Sequence, residues 1–227
     1  MRILFVAADR MEYKGILTRM SVAARRVLGV HWARAGRLGE HDVLLLANGA
    51  GRERAAQATD AGCAYAPPGA IVSTGFCGAL VDTIQIADLV AATRVNGFAA
   101  QPLQGAISCH HGVVRSIGHV ALTAAEKSSL RISGACAVEM EAEGVAERAQ
   151  ALGVPFSCVR AVTDLASEDL ANDFNSALRA DGHFDTMKVL RGALCQPAAR
   201  LPELWRMRNR CIRAARALGD FFADCRF

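Results

Sequence analysis

Pro155-Phe156-Ser157-Cys158-Val159-Arg160-Ala161-Val162-Thr163-Asp164 is the stretch that decides the fold class. A proline opens it, an apolar run follows and two polar residues close it, as in a strand buried on both faces. Such a strand delivers Thr163 and Asp164 at its carboxyl end, where ligands bind in open α/β sheets. Residues 3–7 form a similar run and lead into Ala8-Asp9-Arg10-Met11-Glu12. Residues 42–48 form another and end in Asn48-Gly49-Ala50-Gly51. Pro67-Pro68-Gly69 punctuates the chain, after which residues 70–73 read as a strand entering a glycine turn, Thr74-Gly75-Phe76-Cys77-Gly78. Those glycines permit close approach of the backbone to a ligand. Residues 88–95 and the short apolar run 135–138 complete the strand candidates.

Helical signals fall between these runs. Residues 52–64 carry Ala55, Ala58, Thr59 and Gly62 at helical spacing. Residues 123–130 open with Thr123 as N-cap and Glu126 three positions on, the capping-box spacing. Residues 139–152 read as a third helix. Strands separated by helices predict an α/β protein, a three-layer α/β/α sandwich with a mixed, mainly parallel central sheet. No linker or repeat interrupts residues 1–227, so a single domain is expected, with an arginine-rich helical tail from about residue 186. The tail reads as helices over 186–194 and 202–222, separated by Gln196-Pro197.

Composition narrows the class. Of 227 residues, 52% are hydrophobic and 21% charged, which excludes wholesale disorder. The longest apolar runs, such as 3–8 and 43–47, are far too short to span a bilayer. The first run is cut off by Asp9-Arg10, unlike a secretory leader, so a cytoplasmic location is expected. Eight cysteines lie at 63, 77, 109, 136, 158, 195, 211 and 225, none in Cys-x-x-Cys spacing; they read as reduced packing residues. The net charge of +4 is uneven, because residues 186–227 hold nine basic and three acidic side chains. That is +6 in the tail and −2 elsewhere.

Three carboxylates stand out. On the helix read over 139–152, Val138, Ala142, Val145, Ala149 and Leu152 define an apolar stripe, with Glu143 and Glu147 on the polar side. Glu141 falls on the apolar side, where a carboxylate must be paired, hydrogen-bonded or functional. A helix-capping acid and a functional-site carboxylate both fit. Asp164 can serve a ligand site or cap a following helix, and Glu12 a site, a cap or a surface ion pair. Neither a dinucleotide fingerprint nor a phosphate loop occurs. His110-His111 has no third ligand at supporting spacing and reads as a polar loop, so no metal is expected.

Glu139-Met140-Glu141, followed twenty-three positions after Glu141 by Asp164 in Val159-Arg160-Ala161-Val162-Thr163-Asp164, resembles the signature of the purine nucleoside phosphorylase superfamily. The likeness is strongest to its 5′-methylthioadenosine/S-adenosylhomocysteine nucleosidase branch and runs from residue 1 to about 170. More narrowly, the chain is similar to the hopanoid-biosynthesis-associated phosphorylases, which include the adenosylhopane-cleaving enzyme. The features are Thr123-Ala124-Ala125-Glu126-Lys127 ahead of Gly134-Ala135, Asp173-Phe174-Asn175, Arg179-Ala180-Asp181-Gly182, and the arginine-rich tail from Leu201-Pro202-Glu203-Leu204.

The resemblance implies roles. Asp164 matches the acid that protonates the purine N7 as the glycosidic bond breaks. Glu141 matches the carboxylate that grips the ribose hydroxyls, with Met140 packed beneath the sugar and Glu139 beside them. Glu12 matches the base that deprotonates an attacking water, and Gly75, Phe76 and Gly78 match substrate-contacting positions. No cofactor is implied. Related bacterial phosphorylases hold phosphate with the arginine and serine of R-x-G-S-C-G-A; here Ser73 and Phe76 stand in their places. The N-terminal G-D-P-x-R loop is also absent, which favours water, with Arg10, Arg52 or Arg54 as the only evident substitutes for a phosphate site. Phe76 departs from the nucleosidases too, which usually carry serine there.

The expected activity is therefore cleavage of the N-glycosidic bond of a purine nucleoside, adenosylhopane-type or another 5′-modified adenosine, by water and with release of adenine. Phosphorolysis is the alternative. A non-catalytic nucleoside-binding protein is the second, disfavoured because binding alone would not need Asp164. A homodimer or larger is implied, and no nucleic-acid partner. In the tail, Leu204, Met207, Cys211, Ala214, Ala215 and Leu218 form an apolar stripe, with Arg206, Arg210, Arg213 and Arg216 largely off it. Such a helix either packs on the domain with its arginines solvated or holds the enzyme peripherally at the inner face of the membrane.

Overall fold

The apolar run at residues 3–7 becomes β1 (Arg2–Ala7), buried at every position but the first. In the computed structural model, which describes residues 1–131 and 134–227, all strands join one mixed sheet. An antiparallel hairpin, β2 (Val22–Arg25) and β3 (Trp32–Leu38), forms one edge and is followed inward by β4 (His41–Ala47), which runs parallel to β1. On its other side β1 pairs in parallel with β5 (Ala70–Ala79).

β5 is the branch point of the sheet. Residues 71–78 pair in parallel with β10 (Phe156–Asp164), whereas Gly78 and Ala79 pair antiparallel with β9 (Ala135–Glu139). β10 continues to β6 (Leu89–Val95), β6 to β8 (His110–Ser116), and β8 back to β9. Five strands thus close a ring on β5. The short β7 (Phe98–Ala99) hangs on β6.

Helices cover both faces, giving the three layers expected. On one face α2 (Arg52–Tyr65) buries small residues over β1 and β4, and α4 (Ala142–Leu152) packs beside it over β5 and β10, in one cluster with Leu4, Val6, Leu44 and Leu46. On the other, α1 (Lys14–Arg19) and α7 (Pro197–Ala223) pack Ile16, Leu218, Phe221 and Phe222 against Phe5 and Leu45. α3 (Ala124–Arg131) lies against β9, and α5 (Phe174–Ala177) and α6 (Thr186–Leu194) precede the tail helix. The buried side of α2 is Ala55, Ala58, Thr59 and Gly62, the four residues marked by helical spacing.

Several expectations are corrected. The glycine turn at 74–78 is strand, because β10 and then β9 supply the ladder partners that keep β5 extended. The helix read from residue 139 starts at Ala142; Val138 belongs to β9, and Leu152 is 46% exposed, so the buried stripe is Ala142, Val145 and Ala149. His110-His111 lies on β8 rather than in a loop, paired with β6. The tail breaks at Gln196-Pro197 as expected, but α7 starts there, with Pro197 in its first turn where a missing N–H costs nothing. Cys211, Ala214, Ala215 and Leu218 face inward, and Arg206, Arg213 and Arg216 are exposed. Arg210 is only partly exposed, and its guanidinium pairs with Glu168 at 2.6 Å.

Candidate active site

The carboxyl ends of β1, β5, β9 and β10 surround a cavity of about 580 Å³. Glu12 enters from the 3₁₀ turn Arg10–Tyr13 directly after β1, a turn capped by the Asp9 carboxylate, which accepts from the Met11 N–H at 2.7 Å. One oxygen of Glu12 accepts from the Ala8 and Asp9 N–H groups at 2.9 Å each, the other from the Phe76 N–H at 2.8 Å. Burial nonetheless raises its pKa above the ordinary 4.5, the direction required of a base working near neutrality.

Glu139, at the end of β9, caps α4: its Oε2 accepts from the Glu141 and Ala142 N–H groups at 2.9 and 2.8 Å and from Arg160. Glu141 sits at the N-cap position but makes no capping bond, so the capping reading is withdrawn in favour of a carboxylate turned into the site. Its Oε1 accepts from the Gly51 N–H at 3.1 Å, and its Oε2 lies 3.9 Å from Arg160. Burial, and then the charge of Glu139, push the Glu141 carboxyl up to about 8.

That shift has a sign. Between about pH 4.5 and about 8 the folded protein holds a proton on Glu141 that the unfolded chain releases, so stability falls as pH rises through this window. Glu141→Gln is expected to flatten the pH dependence of the melting temperature and to melt about 3 °C or more above the parent at pH 8. Parallel melting curves across pH for the two proteins would refute this.

Asp164 reaches the cavity through a bulge in β10, where the register with β5 shifts so that Asp164 lies opposite Gly78. A Cβ on Gly78 would stand 2.7 Å from Asp164 Oδ2, so only glycine leaves room for the carboxylate. Asp164 caps no helix, since the next one begins at Phe174. Its Oδ1 accepts from the Thr163 hydroxyl at 3.1 Å, and its Oδ2 pairs with Lys127 at 2.7 Å.

Glu12, Phe76, Gly78, Glu139, Met140, Glu141 and Asp164 all line the cavity. Gly75 is not on its wall. It has φ +143° and lies behind the site, where a Cβ would collide with the Glu12 carboxylate and the Arg160 guanidinium. Its contribution is to let those two groups approach.

Two buried cations were not assigned roles by sequence. Arg160 is fully buried in the middle of β10 and donates to the Thr74 carbonyl, the Ser73 hydroxyl and Glu139. Burial works against its charge, yet the carboxylates, Glu139 foremost, hold its pKa above the ordinary value. The available signal was a charge inside an apolar strand, which must find a partner. Lys127 is the one buried residue of α3. Among the described residues, no three His, Cys, Asp or Glu side chains converge as metal ligands.

Solved structures share this architecture. A Helicobacter pylori 5′-methylthioadenosine/S-adenosylhomocysteine nucleosidase superposes with a TM-score of 0.70 at 19% identity over 96% of both chains. The futalosine hydrolase of the same organism gives 0.69 at 18% identity over 96% of this chain and 95% of that one. The fold is thus nucleoside phosphorylase-like. The sequence pattern of the Phosphorylase superfamily matches residues 2–116 and 100–188, and the chain belongs to that superfamily. A 5′-methylthioadenosine/S-adenosylhomocysteine nucleosidase of Shewanella sp. strain W3-18-1 is 26% identical, aligned over 84% of this chain and 97% of the relative. Its counterpart in Shewanella baltica strain OS185 is 25% identical over 84% and 95%. The protein is an enzyme of the nucleosidase or nucleoside phosphorylase type.

Proposed function

We propose that the protein hydrolyses the N-glycosidic bond of a purine nucleoside bearing an apolar group on its 5′ carbon, releasing adenine. One observation carries the choice of water. Five acidic side chains, Asp9, Glu12, Glu139, Glu141 and Asp164, line the cavity, and among the described residues no lysine or arginine does. A phosphate dianion entering there finds no lysine or arginine to hold it, whereas water needs none. Of the three substitutes for a phosphate site, Arg52 pairs with Glu147 at 2.9 Å, Arg54 donates to the Ala180 carbonyl at 2.6 Å, and Arg10 is exposed and does not line the cavity.

In this reading Glu12 takes a proton from the attacking water. The carboxylates stabilise positive charge developing on the sugar, and Glu141 holds the ribose hydroxyls above Met140. Asp164 gives its proton to N7, and the electron pair of the glycosidic bond leaves with the base. Leu170, Phe174, Phe184, Val189 and Met207 form an apolar stretch of the remaining wall, beside His119, His183 and Thr186. These suit a bulky apolar 5′ substituent, and they favour an adenosylhopane-type substrate over methylthioadenosine, S-adenosylhomocysteine or futalosine.

The test is adenine release over a panel of these nucleosides, with and without phosphate. The expected product is a free sugar formed at a rate independent of phosphate, and Glu12→Gln should slow it by about 10²-fold or more. A ribose 1-phosphate derivative in the mass spectrum would overturn the reading.

Peripheral membrane contact belongs to the same proposal. Among the described residues, no helix is long and apolar enough to cross a membrane. α6, however, turns Met187, Leu190 and Leu194 outward at helical spacing, and Trp205 on α7 is 67% exposed. Arg191 and Arg206 adjoin Leu190 and Trp205 in sequence, and both are exposed. Each basic side chain near anionic lipid contributes about 1 kcal/mol. Binding to anionic liposomes that weakens with salt is expected; equal partitioning onto neutral and anionic liposomes at low salt would remove the electrostatic part.

A further inference from the structure

We infer that Lys127 is a positioning residue for the glycosidic cleavage, acting through Asp164. The inference rests on the reading of Asp164 as the acid at N7. Lys127 is fully buried, yet it carries an ammonium group with a complete set of partners. Nζ lies 2.8 Å from the Leu165 carbonyl, 3.1 Å from the Glu168 carbonyl and 2.7 Å from Asp164 Oδ2. Three N–H donors face three acceptors, which is the full capacity of a protonated lysine.

The surroundings fix that ammonium. The Thr123 hydroxyl accepts from the Glu126 N–H at 3.2 Å and starts α3 one turn before Lys127. Asp169 accepts from the Ala124 N–H at 2.7 Å, and the Leu170 N–H donates to the Leu122 carbonyl at 2.8 Å. The start of α3 is thereby sewn to the segment that follows β10. Arg210 of α7 holds the same segment from the other side through Glu168. A cation clamped in this way serves no surface and no helix cap. Among the described residues, its one salt bridge is to Asp164.

The chemistry follows from the charge balance of the proton transfer. The O–H bond of the Asp164 carboxyl breaks, the N7–H bond forms, and a carboxylate is left beside Lys127. An ammonium already in place stabilises that carboxylate without reorganisation, so it favours the transition state over the bound substrate. It also holds one carboxyl oxygen still while Thr163 holds the other.

The experiment is a double-mutant cycle on the panel nucleoside with the highest kcat/KM. Lys127→Met should lower kcat by about 10–10²-fold with KM changed by less than about 3-fold. The same substitution placed on Asp164→Asn should cost less than about 3-fold more, because the group it acts through is gone. Lys127→Gln keeps a donor and should retain more activity than Lys127→Met. If the single methionine variant fails to fold, the double variant, which leaves no buried charge unpaired, and the glutamine variant carry the comparison. Equal costs in both backgrounds, or kcat within about 2-fold of the parent in Lys127→Met and Lys127→Gln, would overturn the inference. Near-parental turnover by Asp164→Asn would instead overturn the reading of Asp164, so the two failures are distinct.

Discussion

Asp164→Asn is expected to lower kcat for adenine release by about 10²–10⁴-fold, the range that general acid catalysis supplies, and to leave the fold intact. Asparagine matches aspartate in shape, and its carbonyl oxygen can still accept a hydrogen bond from Lys127 or Thr163. The proton is lost, and Lys127 keeps a hydrogen-bond acceptor but not its counter-charge, so the melting temperature falls while the fold persists. The purine then has to depart as an anion from a cavity that is already acidic. Circular dichroism should show a folded protein, and turnover near the parent's on the best substrate would remove Asp164 from its role.

The second large effect concerns stability rather than rate. Arg160→Met is expected to cost about 3–5 kcal/mol, because it leaves the carboxylate of Glu139 buried without its cation. Glu139 has no exposed side-chain surface and caps α4 with the oxygen that Arg160 also holds. The melting temperature should fall by about 10 °C. Adding Glu139→Gln should recover part of the loss, since the unpaired charge is then absent. A single variant that melts within about 2 °C of the parent would show that the pair is dispensable.

The layers of the fold were legible where apolar runs are short and bounded. β1, β4 and β10 lie where those runs predicted, and α2 buries the four residues its spacing marked. β2 and β3 carry no such signal. They form the sheet edge, with arginines interspersed along Trp32-Ala33-Arg34-Ala35-Gly36-Arg37, and edge strands need no continuous apolar run. The turn expected at Gly75 and Gly78 illustrates a different limit. Glycine there answers to side chains arriving from distant segments, Glu12 and Arg160 at one and Asp164 at the other. Spacing along the chain does not show that crowding. For the same reason Glu12, Glu141 and Asp164 could be picked out by type and position, while Lys127, on an otherwise polar helix, could not.

The branching of β5 also bears on how the site comes into being. β5 completes its ladder only when β10, some eighty residues later, arrives beside it, and with β10 come both Arg160 and Asp164. Such non-local pairing pays its loop-closure entropy before any contact rewards it, so it forms slowly. Until then a long, almost wholly buried-type strand offers a bare edge to any neighbouring chain, the condition under which folding intermediates aggregate. Glu12 and Gly75 are synthesised early, but they wait for the same strand. Catalytic competence and protection of this edge are therefore acquired in one late event, and the cell's exposure to the sticky intermediate lasts as long as its wait for an active enzyme.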